Sequence, residues 1–306
     1  MKHYFCSIFL FLFSTTFLQA QDSPVEVTSN PDPNGTKNIE FYAENANVGK
    51  FIVRVKFPRL VNLRSTTGIS DFVGTVGPGR SRIFALRPLI LNRPIDYSYE
   101  YSSHRGCHRV KLKEDIVYLL PFKSKEQRYI YDNNDFIKAN VLEKDAHEGL
   151  EAMTIMMKEN EVVYSSRRGL VVEVQESYDD MELIDSVRQK KRNYITIQHD
   201  DCSFSRYEYL QKDGVIPTVG DRVDAGQLIA SVGGKPYEKG YRLKYLFYYV
   251  DYDHINDKVA YHYFKPKFRV DGEVKEISSG GLYTSDHSID LIIQEMSKRE
   301  KNRLRN

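Results

Sequence analysis

Tryptophan is absent from this 306-residue chain, and cysteine is almost so, with three residues. Neither sign of charge dominates: 44 Lys and Arg stand against 42 Asp and Glu, a formal net charge of +2. Bulk charge therefore gives no ground for a nucleic-acid partner. After the first twenty residues no apolar run is long enough to cross a bilayer. Internal repeats and low-complexity tracts are also missing. What the chain has in quantity is tyrosine and phenylalanine, 22 and 16 residues, which suit half-buried strand faces and point to a mainly β protein.

Residues 1–20 read as a secretory signal. Lys2 is the basic start, Ile8 to Phe13 the apolar core, and Ala20 the small residue at the cleavage point. Cys6 precedes that core, so it is not placed as a lipoprotein cysteine. The expectation is an exported protein, periplasmic or outer-membrane associated, with no transmembrane segment once the signal is removed. Two cysteines then remain, Cys107 and Cys202, and they are able to pair in an oxidising compartment. Cys107 lies in the stretch SHRGCHR with His104 and His108. A metal site there lacks a second ligand pair at zinc spacing, and a polar turn with solvated histidines is the simpler reading.

Residues 21–37 hold three prolines and an Asn-Gly pair and read as a flexible leader. From 38 to 118, short alternating runs such as Phe51, Val53, Val55 and Phe57, and Tyr97, Tyr99 and Tyr101, suggest a β-sandwich. Residues 119–150 read as a connection, 151–285 as a second compact β domain, and 286–306 as a basic helical tail. In that tail Ile289, Ile292, Ile293 and Met296 recur at helical spacing behind Ser288 as a cap.

The second domain carries the most specific pattern. Asn193, Ile197, His199, Asp201, Tyr207 and Leu210 form one block. Gly220, Asp221, Val223, Gly226, Gln227, Ile229, Gly233, Gly240 and Leu243 form another. In order and spacing they resemble the core of the lysostaphin-type (LytM-like) zinc endopeptidases, which cut peptide cross-links of bacterial cell walls. The resemblance implies a duplicated hybrid motif fold. It also implies a zinc held by a histidine, an aspartate and the second histidine of an H-L-H triplet, with two further histidines acting on water and oxyanion. A small biotinyl-type carrier barrel shares some of these turns, but Lys235 lacks the hairpin context for modification.

The reactive positions do not follow the family. Its aspartate falls on Thr154, the histidine before Leu on Tyr209, and the two histidines of H-L-H on Arg242 and Lys244. The first histidine ligand has no counterpart fixed by spacing; His147 is the one histidine near it. A hydroxyl brings no negative charge to a dication, an ammonium has donors only, and a guanidinium cannot accept a proton. His199 sits on the scaffold strand and reads as a structural histidine. The expectation is no cofactor, with zinc lost, and no catalytic residue. The alternatives are an active zinc enzyme with relocated ligands, or a structural subunit of an envelope assembly. Tyr207, Tyr209, Arg242 and Lys244 are the candidate ligand-binding residues. Two outcomes stay open for the cations: they hold a carboxylate of wall peptides, or they pair with nearby acids. Peptidoglycan stem peptides or another envelope protein are the partners this implies.

Overall fold

Alternation at a period of two builds most of the described residues. The computed structural model describes residues 23–31, 38–68, 71–132, 152–179, 192–233, 241–277 and 280–303. The signal segment, His147, Lys235 and Gly240 lie outside the described residues.

The N-terminal part is a sandwich of two antiparallel sheets. Strands β1 (Val25–Pro31), β2 (Ile39–Asn45), β4 (Leu63–Ser65) and β6 (Gly79–Pro88) form one, in the order β1-β2-β6-β4. Strands β3 (Phe51–Val61), β5 (Phe72–Val76) and β7 (Asp96–Arg105) form the other, in the order β5-β3-β7. Phe41, Val53, Val55, Phe84 and Leu86 fill the space between them. The expected leader is thus corrected in part. Val25 and Val27 point into this core while β1 pairs along its length with β2. Two buried valines outweigh the polar composition around them.

The C-terminal part is organised by one large sheet. Its strands are β9 (Gln127–Asp132), β10 (Ala152–Met157), β12 (Gly169–Gln175), β13 (Tyr194–Gln198), β14 (Ser203–Glu208), β16 (Arg222–Val223), β18 (Tyr241–Asp253), β19 (Lys258–Tyr263) and β22 (Gly281–Thr284). The order is β16-β12-β13-β14-β18-β10-β9-β22, with β19 pairing β18. Two small sheets cover one face. The first is β11 (Val162–Tyr164), β17 (Leu228–Val232) and β15 (Leu210–Val215); the second is β21 (Glu273–Glu276), β20 (Lys267–Val270) and β8 (Val117–Tyr118). Gly233 is required where chain segments meet, because a Cβ there would stand 2.3 Å from the Cα of Gln211.

The long strand β18 is apolar on both faces because both are covered. Leu243, Tyr245 and Phe247 enter the main core, while Leu246, Tyr248 and Val250 pack with Ile52 of the sandwich and with Val172 and Phe204. A backbone bond from Cys107 N to Val250 O and the Cys107–Cys202 disulfide join the two parts along that seam. The Cα atoms of the two cysteines are 6.0 Å apart, within the ordinary disulfide range.

Two expectations in the second half are corrected. The connection contains β9, whose Ile130 is fully buried between Tyr129 and Tyr131. The tail is not one helix on the predicted face. It forms two short helices, α1 (Ile289–Ile292) and α2 (Lys298–Arg303), and Ser288 makes no side-chain cap. Leu291 is the buried residue and Ile289 is exposed. Electrostatics hold the segment: Glu295 grips the buried Arg167 guanidinium through Nε at 2.8 Å and a second nitrogen at 2.7 Å. Asp201, Tyr118 and Ser203 accept from the third guanidinium nitrogen. A bidentate Arg–carboxylate pair out of water, with every nitrogen of the guanidinium bonded, fixes the segment on the domain.

Candidate functional site

Strand register sets the site. Thr154 of β10 lies opposite Lys244 of β18, and Lys244 lies opposite Glu208 of β14. Opposed residues of antiparallel neighbours project to the same face, so these three side chains form one row across the sheet. Arg242 lies on the same face two residues along, by alternation.

Tyr209 follows β14 in the left-handed backbone region, φ 70°, an uncommon place for a bulky residue. Its N–H donates to Asn193 O at 3.1 Å, and its carbonyl accepts from Gly233 N at 3.0 Å. The side chain of Asn193 bridges Tyr178 and Leu210, so one buried amide holds the turn that presents Tyr209. The ring carries the Arg242 guanidinium 4.5 Å from its centroid and that of Arg192 at 5.7 Å, both within cation–π range.

Glu208 is the acidic centre, with its side chain 6% exposed. Arg192 and Arg206 each donate to it at 3.0 Å, and the Lys244 ammonium is 3.9 Å away. Burial opposes ionisation of Glu208, but Lys244, Arg206 and Arg192 outweigh it and hold the carboxyl below its ordinary range. Burial pushes Lys244 down from the usual lysine range, opposed by Glu208 and aided by the neighbouring arginines. Arg206 also faces Glu173 at 3.6 Å, and Glu173 meets Arg105 of the sandwich at 3.3 Å. A cleft of about 250 Å³ continues from Glu208 along this chain of charges, walled by Tyr248, Tyr261 and Tyr263.

Four of the sequence candidates are therefore brought together: Thr154, Tyr209, Arg242 and Lys244. Tyr207 is not, which corrects its place among the ligand-binding candidates. It points to the opposite face, fully buried, stacked on Tyr245 at 4.5 Å, with its hydroxyl accepting from Ser166 N at 2.8 Å. A period of two requires this, since Tyr207 and Glu208 are adjacent on one strand. The same rule, applied to the stretch YEYL, would have identified Glu208 as the groove residue. His199 is buried and bonded on both ring nitrogens, to Arg168 O and Ser205 Oγ, each at 2.7 Å. Burial lowers its pKa to about 4.

Metal chemistry can be tested on this donor set. A zinc at the row would face a hydroxyl at Thr154 and an ammonium at Lys244 that neighbours a carboxylate. No group of three or more His, Cys, Asp or Glu placed to hold a metal ion is found among the described residues. The residues at the row do not fit zinc, and no step is routed through one.

The row thus places a hydroxyl, an ammonium and a buried carboxylate side by side on one face of the large sheet. Residues 147–257 match the model of Peptidase family M23, and this part of the chain is an M23 domain. Solved structures to which the chain is similar include a putative glycyl-glycine endopeptidase lytM from Ruminococcus gnavus. It is 20% identical, with 53% of this chain and 57% of that chain covered and a TM-score of 0.31. The catalytic domain of the prophage-encoded M23 protein EnpA from Enterococcus faecalis is 18% identical over 46% of this chain and 85% of that one, TM-score 0.27. Helicobacter pylori Csd3 is 11% identical over 91% of this chain and 82% of that one, TM-score 0.31. None of the curated proteins matches the chain.

Proposed function

We propose that this chain is an exported, non-catalytic homologue of the cell-wall endopeptidases, and that its groove binds a carboxylate-bearing wall peptide. The observation that carries the reading is the row Thr154–Lys244–Glu208, where an ammonium paired with a carboxylate stands in place of metal donors. General-base work on water needs a group that gives up and takes a proton near neutral pH, and neither a guanidinium nor a phenol at these positions supplies it. Arg242 stacked on Tyr209, beside Lys244, is a cradle suited to a peptide carboxylate. Lys244 also answers the second outcome left open by the sequence, since it pairs with Glu208; the two roles are compatible when a ligand carboxylate joins an existing cluster of cations.

The experiment is titration of stem peptides released from sacculi against wild type, Arg242→Ala, Lys244→Ala and Tyr209→Ala, alongside a sacculus-digestion assay. Loss of one charge-assisted hydrogen bond is worth about 1.5–3 kcal/mol, so each cation variant should bind about ten-fold more weakly or worse. Equal binding by all four proteins refutes the groove. Digestion of sacculi that depends on bound zinc and on His147 refutes the non-catalytic reading and restores an enzyme with relocated ligands.

A further inference from the structure

One end of the sandwich turns aliphatic side chains to solvent. Two connections meet there, the β3–β4 turn at 61–63 and the β6–β7 loop at 89–95. Leu89, Ile90 and Leu91 are 59%, 48% and 69% exposed. Ile95 is exposed as well, and so is Val61, which lies opposite Asp96 in the register of β3 with β7. Single exposed apolar residues are ordinary, but a cluster at one tip marks an interaction surface. Asn62 fixes the loop that carries it. Its side-chain amide donates to Ile90 O at 2.9 Å and Arg93 O at 3.3 Å, and its Oδ1 accepts from Ile90 N at 2.9 Å. Its own carbonyl accepts from Leu89 N at 3.0 Å. The backbone polar groups of the loop are thus bonded inward, and the three aliphatic side chains project outward from a held frame.

The charge around this tip has one sign. Residues 59–64 and 87–96 hold Arg59, Arg64, Arg87 and Arg93 against a single acid, Asp96, which Arg59 takes at 2.6 Å. Arg64 and Arg87 lie directly opposite each other on β4 and β6, both exposed on the outer face while Leu63 and Ser65 point inward. Like charges placed so are destabilising, and an anion between them relieves the repulsion. Guanidinium groups are matched to phosphate oxygens, which they bind through paired donors. The tip itself carries no aromatic ring. Protein hot spots favour Tyr, Trp and Arg seated in pockets; a projecting aliphatic tip with an arginine collar is suited to the boundary between headgroups and acyl chains.

We infer that this tip docks on an anionic phospholipid surface, with Leu89, Ile90 and Leu91 entering the interface and Arg64, Arg87 and Arg93 taking lipid phosphates. The opposite end of β3 meets the C-terminal domain, where Ile52 packs with β18. At about 3.3 Å per residue, the strand from Ile52 to Val61 sets the tip about 30 Å from that seam. The sandwich is then a spacer that holds the Thr154–Lys244 row off the bilayer. The docking uses no residue of that row and stands whether or not the groove binds peptide.

The test is co-sedimentation of the full chain with vesicles of phosphatidylcholine alone, or of phosphatidylcholine and phosphatidylglycerol in equal parts. Wild type should pellet with the mixed vesicles and far less with phosphatidylcholine, and raised salt should release it. Leu89→Ser with Leu91→Ser should weaken partition about ten-fold or more, as should Arg64→Ala with Arg87→Ala. Ile255→Ser, at a 94% exposed position in the turn between β18 and β19, should bind as wild type. Since the chain has no tryptophan, Leu91→Trp supplies a lone reporter whose emission should shift to the blue on mixed vesicles, while that of Ile255→Trp should not. Wild-type binding by the leucine pair, equal binding to both vesicle types, or loss confined to Arg299→Ala with Lys301→Ala in the tail overturns the proposal. So does a chain that ignores vesicles but dimerises through the two leucines, because the tip is then an interface between copies.

Discussion

His199 should make the protein lose stability in mild acid, well above the pH at which carboxylates protonate. In the fold its ring is sealed between Arg168 O and Ser205 Oγ, and burial, with help from the Arg167 charge, lowers its pKa from 6.5 to about 4. The neutral ring is the form the fold favours, so its contribution is complete above about pH 6.5 and is lost as pH falls towards 4. The interval between those values corresponds to roughly 3 kcal/mol at 1.36 kcal/mol per pH unit, and linkage places about 2 kcal/mol of it between about pH 7 and about pH 5. Urea unfolding of wild type and His199→Gln at the two pH values measures it. The variant is expected to be less stable at neutral pH, because a bonded buried side chain has been replaced, but its stability should fall by about 2 kcal/mol less between the two pH values. Other histidines titrate equally in both proteins and cancel. If both lose the same amount, or if the His199 ring titrates near 6.5 by NMR in the folded protein, the reasoning is wrong.

Glu295→Ala removes the bidentate partner of a guanidinium that is 1% exposed, so about 3–5 kcal/mol should be lost and trypsin should cut faster at the arginines and lysines of 298–303. Reducing Cys107–Cys202, which closes a span of 95 residues, should cost about 2–5 kcal/mol of unfolding free energy, read by denaturation with and without reductant; an unchanged midpoint would mean the seam is held by packing alone. Glu208→Gln leaves three cations converging on a neutral amide and should destabilise by about 3 kcal/mol or more. The double variant Glu208→Gln with Lys244→Met should recover part of that loss; purely additive losses would show that the pair is not coupled.

Much of the fold can be read from the sequence wherever burial is one-sided and local. Phe51 to Phe57 alternates because one face of β3 meets the sandwich core, and the turns of the block from Asn193 to Leu210 depend on Asn193 and Asp201, whose side chains bond nearby backbone. Val25 and Val27 were obscured by neighbouring prolines. β9 was missed because its partners, β10 and β22, are distant in sequence, although the alternation of Tyr129, Ile130 and Tyr131 was a usable signal. At the site, Thr154, Arg242 and Lys244 were singled out through the family resemblance, and strand register places Thr154 and Lys244 opposite each other. What Lys244 does was not legible, since its partner Glu208 lies 36 positions earlier and only the register of β14 with β18 brings them opposite. The grip of Glu295 on Arg167 crosses 128 residues and leaves no local pattern to detect.

The large sheet does not stop where the M23 match stops. Its β10 edge is occupied by β9 and, beyond it, β22, from positions before residue 147 and after residue 257. A fragment cut to the matched residues would bare the backbone of β10, a run of Met, Thr and Ile with no charge. Such an edge templates pairing with another chain. The flanking strands therefore act as a guard against self-association, and the matched segment expressed alone should aggregate where the longer chain stays dispersed.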